Sequence, residues 1–386
     1  MASGNGLINE HPRLRESVVD AGARVLEPAP LIGVLPGEGI GPEVIEAAVE
    51  VSSSLGRAGG EWIAIEVGGP IGRAAEDASG TALTADVVRF CRQTFARGGA
   101  ILSGPGGGRY VYDLRRELGL YLKATPVRAL GGLRETSPLR PEATEGLDLL
   151  LVRENLGGVY QGSSEEVLDR GGGRAVRHVF SYDEADVSRF LDAAARLARA
   201  RRGELTVVIK ESGIPAVSTL WRDCAEASAD AHGIAWRPVD VDLMAYELVR
   251  APGAFDVVAA PNLCGDVLGD LAAALVGTRA MSFSGSFTRS GEGVYQTNHG
   301  AAHDIAGSDR ANPIGQILSL AMLLRESLGL EREARAVEEA VRRVWTAGHR
   351  TVDVDAGGEA IGTREMAELV AGAAADALRS ATAAPV

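Results

Sequence analysis

The sequence predicts an α/β fold with a largely parallel central sheet, on three observations. Short apolar runs alternate with longer helical patterns through most of the chain. Several runs, "DLLLV" and "TVVI" among them, are apolar without interruption, as suits strands covered on both faces. Glycine-rich turns lead from strand to helix, most plainly in "LIGVLPGEGIGPEVIEAAVE" at 31–50.

The elements follow in order. Residues 1–28 form a polar extension, partly helical, without the apolar core of a secretion signal. "LIGVLP" is the first strand, and a helix is expected over 42–55. Pro42 lies in its first turn, where a missing N–H is tolerated. "WIAIEV", a helix over 85–96, "GAILSG" and "LDLLLVR" come next. "ELTVVIK" precedes a helix at 217–231, and "FDVVAAP" precedes another at 266–276. Helices at 312–326 and 332–347 and an alanine-rich helix close the chain. Residues 157–180 break the rhythm with glycine and charge; a loop that long is either mobile or used. Residues 294–313 carry too little periodic apolar content for a helix or a strand.

Composition narrows the function. The chain has 386 residues and a formal net charge of −13, which argues against nucleic acid as the main partner. No run approaches the length of a membrane span. Cys91, Cys224 and Cys264 are widely spaced and form no zinc pattern, which points to a reducing cytoplasm.

The turn at Gly37, Gly39 and Gly41 is G-x-G-x-G, not the G-x-G-x-x-G of a dinucleotide fold, although Glu66 imitates that fold's acidic ribose partner. Three constellations carry more chemistry. Asp266 and Asp270 are four apart and share a helix face, with Asp242 upstream. Such oxygens suit Mg²⁺ or Mn²⁺, and equally suit a solvated acidic face. Arg115, Arg116, Lys123 and Arg128 in "YVYDLRRELGLYLKATPVR", with Arg153 at the end of "DLLLVR", form a cationic set fit for carboxylates, Arg116 being better suited to Glu117 or solvent. The small residues of 294–313, with His299, Asp304 and Asn312, suit wrapping a ligand or an ordinary surface loop.

"LPGEGIGPE", "LRRELGLY", "VRENLGGVYQG", "FDVVAAPNLCGDVLGD" and "HGAAHDIAGSDRANP" occur in that order. Together they resemble the metal-dependent β-decarboxylating dehydrogenases, the family of isocitrate, 3-isopropylmalate, homoisocitrate and tartrate dehydrogenases. The resemblance implies a two-lobed fold with a largely parallel sheet and a dimer-clasping arm at about 157–180. It divides the chain into the extension, a cofactor lobe of 29–120 and 277–386, and a substrate and dimerisation lobe of 121–276. It implies that "PGEGIGPE" lies beside the nicotinamide end of NAD, while the adenosine end is held by His299, Gly300, Ala301, Ala302, Asp304, Ile305 and Asn312. Asp304 stands where NAD-using relatives bind the ribose hydroxyls and repels a 2′-phosphate. Arg115 and Arg153 are implied to hold the malate-like carboxylates. Asp242, from the other subunit, joins Asp266 and Asp270 as ligands of Mg²⁺ or Mn²⁺. Lys210 is implied to take the hydroxyl proton and Tyr160 to protonate the enolate carbon. The implied enzyme is a homodimer with shared sites.

The sequence also departs from the family. Thr125 stands where a third clamp arginine is usual, and Lys123, two residues back, offers a point charge instead. Gln296 replaces a glutamate and Asn298 a small residue. The loop "GPGGGRYVYD", with Arg109 and Tyr110, lacks the leucine-rich pattern of isopropylmalate enzymes. The expected substrate is therefore a 3-substituted malate with an anionic substituent, isocitrate-like or phosphonomethylmalate-like. The alternatives are 3-isopropylmalate or homoisocitrate. A different class is a catalytically silent regulatory subunit of a hetero-oligomeric dehydrogenase, which has no need to keep Tyr160 and the three aspartates.

Overall fold

The computed structural model describes residues 13–23, 25–128, 137–144, 146–354 and 359–383. Its strands are β1 (Leu31–Leu35), β2 (Ala64–Val67), β3 (Ala100–Ser103), β4 (Leu122–Arg128), β5 (Asp148–Glu154), β6 (Ser163–Leu168), β7 (Arg174–Val179), β8 (Glu204–Ile209), β9 (Ala235–Asp240), β10 (Val257–Ala260), β11 (Phe283–Phe287) and β12 (Gly293–Thr297). The helices are α1 (Leu14–Val18), α2 (Gly41–Arg57), α3 (Arg73–Ser79), α4 (Ala85–Ala96), α5 (Tyr110–Leu118), α6 (Glu184–Arg199), α7 (Pro215–His232), α8 (Val241–Arg250), α9 (Asn262–Leu275), α10 (Ile314–Glu326), α11 (Glu331–Thr346) and α12 (Thr363–Ala383).

Ten strands form one sheet in the order β2-β1-β3-β12-β11-β4-β5-β10-β8-β9. Six of its nine pairings are parallel, as the uninterrupted apolar strands require. The three antiparallel pairings join β12, β11, β4 and β5 at the centre of the sheet. Helices cover both faces: α2, α6, α7, α10, α11 and α12 share one apolar core on one face, while α4 with α5, and α8 with α9, pack on the other. Trp221, Phe190, Tyr295 and Trp345 are fully buried between these layers.

Four expectations change. β12 runs through 293–297, where the pattern promised no regular element; ladder bonds from β3 and β11 on either side override the weak local signal. α9 begins at Asn262, four residues early, with Pro261 just before it. Its Gly265 explains why the start is hard to read: a Cβ there would lie 2.8 Å from the Arg153 side chain, so a poor helix former is kept for close approach. Residues 163–179 form the two-stranded antiparallel sheet β6-β7, with Leu168, Val176 and Val179 exposed along it. Glu66 is not free for a ribose: it pairs with Arg97 at 2.7 Å on the edge strand β2.

The described part of the extension is tied down. Arg196 Nε donates to the Ser17 carbonyl at 2.7 Å, and the Tyr121 hydroxyl donates to the Val18 carbonyl at 2.5 Å. Among the described residues no helix is long and apolar enough to cross a membrane.

Candidate active site

The antiparallel register of β4 and β5 puts Lys123 directly opposite Arg153. The C-terminal half of α5 brings Arg115 to the same place, and all three cationic residues are buried. Arg153 is engaged: Nη1 pairs with Asp266, while Nε and Nη2 donate to Asn262 Oδ1 at 3.1 and 2.8 Å. Arg115 lies over the Tyr112 ring at 5.2 Å. Among the described residues, the Arg115 and Lys123 side chains have no hydrogen bond or ion pair. Burial, and then the charge of Arg153, push Arg115 down to about 10. Burial, and then Arg115 and Arg153, push Lys123 well below the ordinary lysine value. Thr125 is also buried and shares the strand face of Lys123, opposite Leu151.

Tyr160 sits in a single 3₁₀ turn, Val159–Gln161, and its hydroxyl donates to Asp266 Oδ2 at 2.8 Å. Arg153 lies over its ring at 5.5 Å, and Tyr112 packs on it at 4.8 Å. Burial, reinforced by the bond to Asp266, raises the phenol pKa. Burial works against ionisation of Asp266, but Arg153, Tyr160 and Lys123 outweigh it and hold the carboxyl below its usual range. Asp270, one turn on, meets Arg279 at 3.0 Å and is half exposed.

Lys210 forms a second cluster. It follows β8, and its ammonium lies 2.6 Å from Asp242 Oδ1 and 3.3 Å from Asp240 Oδ2. The bond to Asp242 is the main cause of its raised pKa, and reciprocally lowers that of Asp242. Asp242 is largely exposed. Among the described residues no three metal-binding side chains gather, so one chain alone does not bring Asp242 to Asp266 and Asp270.

The segment 299–312 packs beside the first turn. The Ile40 amide donates to the Ala301 carbonyl at 2.8 Å, and a Cβ on Gly39 would overlap that carbonyl. Gly39 has φ +56°, so both space and backbone require glycine. Ala302 takes φ 42° although it is not glycine. His299 Nδ1 meets the Gly300 carbonyl at 2.9 Å, burial lowers its pKa, and its Nε2 is buried without a partner. Asp304 is exposed and Ile305 half-buried. Asn312 bonds Asp353 at 3.2 Å and accepts from the Ile314 amide at the start of α10.

Arg109 reaches the Tyr160 carbonyl at 2.6 Å and Asp113 at 3.3 Å. Asn298 braces β11 through Ser282 and Ser284 rather than facing the cations. Sequence reasoning missed Tyr112 and Asn262. An aromatic two residues after Tyr110 and an asparagine after Pro261 carried no spacing signal; their roles come from strand register and helix packing.

The comparisons with known proteins identify the family and the fold. The model of the family "Isocitrate/isopropylmalate dehydrogenase" matches residues 31–370. The 3-isopropylmalate dehydrogenase of Geobacillus kaustophilus is 39% identical over 89% of this chain and 95% of its own length. That of Anaeromyxobacter dehalogenans is 39% identical over 87% and 97%. The crystal structure of isocitrate dehydrogenase from Methylococcus capsulatus superposes with TM-score 0.80 at 29% identity, covering 89% of this chain and 99% of that one. The chain belongs to the isocitrate/isopropylmalate dehydrogenase family and is an NAD-dependent decarboxylating dehydrogenase that uses Mg²⁺ or Mn²⁺.

Proposed function

We propose that this chain oxidises and decarboxylates a 3-substituted malate whose substituent carries an anion. One observation carries the reading. Arg115, Lys123 and Arg153 are buried together, and among the described residues Asp266 pairs with Arg153 alone of the three. Two buried cations with no carboxylate in direct contact are unfavourable until an anion arrives. Arg115 and Arg153 take the two malate carboxylates, and Lys123 supplies the charge that Thr125 does not. Arg109 stands at the mouth for the substituent.

Asp266 and Asp270, one helical turn apart, fit a hard cation that keeps waters and takes further oxygens from the substrate. The metal, when bound, polarises the incipient carbonyl and stabilises charge as CO₂ leaves. Asp242 completes the set from a second copy, because its own chain points it at Lys210 instead. NAD accepts the hydride. His299, Gly300, Ala301, Ala302, Asp304, Ile305 and Asn312 hold its adenosine end, and the unpartnered His299 Nε2 offers it an acceptor. Lys210 takes the hydroxyl proton of a substrate in the partner's site. Tyr160, kept protonated by burial, delivers a proton to the carbon that loses CO₂. On this reading 29–120 and 277–386 form the cofactor lobe, and 121–276, with the exposed β6-β7 arm, the lobe that dimerises.

A second reading, 3-isopropylmalate, is favoured by the names of the relatives and by the apolar ring of Tyr112 beside Arg115. NADH formation with Mg²⁺ or Mn²⁺ separates the two, tested on isocitrate, homoisocitrate, 3-isopropylmalate, tartrate and phosphonomethylmalate. One anionic substrate is expected to lead in kcat/KM, and Lys123→Ala to lower its kcat/KM by about 10- to 150-fold, as for a charge-assisted contact of 1.5–3 kcal/mol. Faster turnover of 3-isopropylmalate, untouched by Lys123→Ala, would contradict the anionic reading.

A further inference from the structure

The first turn holds a carboxylate that the chemistry above does not use. The Glu38 amide donates to the Pro105 carbonyl at 2.8 Å, joining the turn to the loop that follows β3. Its side chain reaches further. Oε1 accepts from the Arg73 amide at 2.7 Å; Oε2 accepts from the Gly107 amide at 3.1 Å and from the Tyr110 hydroxyl at 2.9 Å. One carboxylate thus ties the start of α3, the loop 104–109 and the first residue of α5. Tyr110 is buried, so its hydroxyl depends on this partner. Gly72, with φ +67°, is required here: a Cβ would overlap the Glu38 carboxyl. Burial works against the charge on Glu38, but the two amides and the hydroxyl outweigh it and hold its pKa below the usual range.

What Glu38 holds leads straight to the site. Arg109, in the same loop, donates to the Tyr160 carbonyl. Tyr112, half a turn beyond Tyr110, packs on Tyr160 and lies beneath Arg115. Two residues on, Ile40 bonds the cofactor-side segment at Ala301. We propose that Glu38 is a positioning residue for substrate selection: it locks loop 104–110 and the start of α5, so that Tyr112 and Arg109 form a preset wall for the 3-substituent. This rests on the site placement proposed above. A carboxylate suits the task because both oxygens accept, whereas glutamine sets its NH2 against the Arg73 amide or against the Gly107 amide, whichever way it turns.

The test uses the full chain and two variants, Glu38→Gln and Tyr110→Phe. Hydrogen exchange without ligands is expected to quicken by about 5- to 30-fold in peptides covering 71–75 and 104–112 of Glu38→Gln, with β5 and α9 unchanged. In steady state, KM for isocitrate or 3-isopropylmalate, whichever the wild type turns over, is expected to rise by a similar factor. The kcat should stay within about threefold, KM for NAD within about twofold, and discrimination against unsubstituted malate should shrink. Tyr110→Phe, which keeps the ring, should repeat the trend at smaller size. Unchanged exchange at 104–112 overturns the lock. Faster exchange with unchanged KM and discrimination overturns its role in selection. A wild type inert toward every probe defeats the proposed function and that role with it, while the exchange result still judges the lock.

Discussion

Phenylalanine in place of Tyr160 is expected to lower kcat by roughly 10²- to 10⁴-fold, the usual contribution of a positioned general acid, with little change in KM. The substitution is clean because it keeps what the ring does. The tilted contact with Tyr112 at 4.8 Å and the Arg153 guanidinium at 5.5 Å remain, and only the hydroxyl is lost. On the proposed reading that hydroxyl is a proton source rather than a base: burial and the neighbouring Asp266 both raise its pKa, which keeps it protonated. Its loss also removes one donor to Asp266, but Arg153 remains paired there, so the site stays assembled. Steady-state rates alongside melting curves check this. A variant as stable as the wild type with kcat within about threefold of it would remove Tyr160 from the chemistry.

Alanine in place of Lys210 is expected to cost about 10²- to 10⁴-fold in kcat, for the complementary proton transfer. Lys210 lies between Asp242 and Asp240, and the bond to Asp242 keeps its ammonium charged in the single chain. On the proposed reading it becomes a base when Asp242 is engaged elsewhere, in a site built from two copies. The variant leaves Asp240 and Asp242 without this cation, a modest loss because Asp242 is largely exposed and Asp240 partly so. Added primary amine should restore part of the rate by replacing the lost group. Full activity in Lys210→Ala, or a loss explained wholly by unfolding, would contradict the assignment.

Much of this was legible in the sequence because it rests on local rules. Uninterrupted apolar strands announced the parallel sheet, and α4 occupies the residues expected of it. Asp266 and Asp270 shared a helix face by spacing alone. The rest depends on register and on long-range packing. Nothing local says that Lys123 will face Arg153; that follows from the antiparallel pairing of β4 with β5. β12 was invisible because its apolar content is slight, and its neighbours make it a strand. The start of α9 was hidden by Gly265, which serves the fit of Arg153 and weakens the helical signal. Glu38 looked like one more residue of a glycine turn, and its three partners lie 35, 69 and 72 residues away.

The central claim is that each active site is shared: Arg115, Lys123, Arg153, Tyr160, Asp266 and Asp270 from one copy, Lys210 and Asp242 from another. The most direct measurement mixes two inactive variants, Tyr160→Phe and Lys210→Ala, co-expressed with different tags and purified on both. Each mixed dimer then holds one site with both original residues and one with neither. Random assortment before the second tag is applied gives about a quarter of the wild-type activity, and the doubly purified mixed dimer about half. Activity no greater than that of the separate variants, from a dimer proven to contain both chains, would place Tyr160 and Lys210 in the same chain's site and contradict the account.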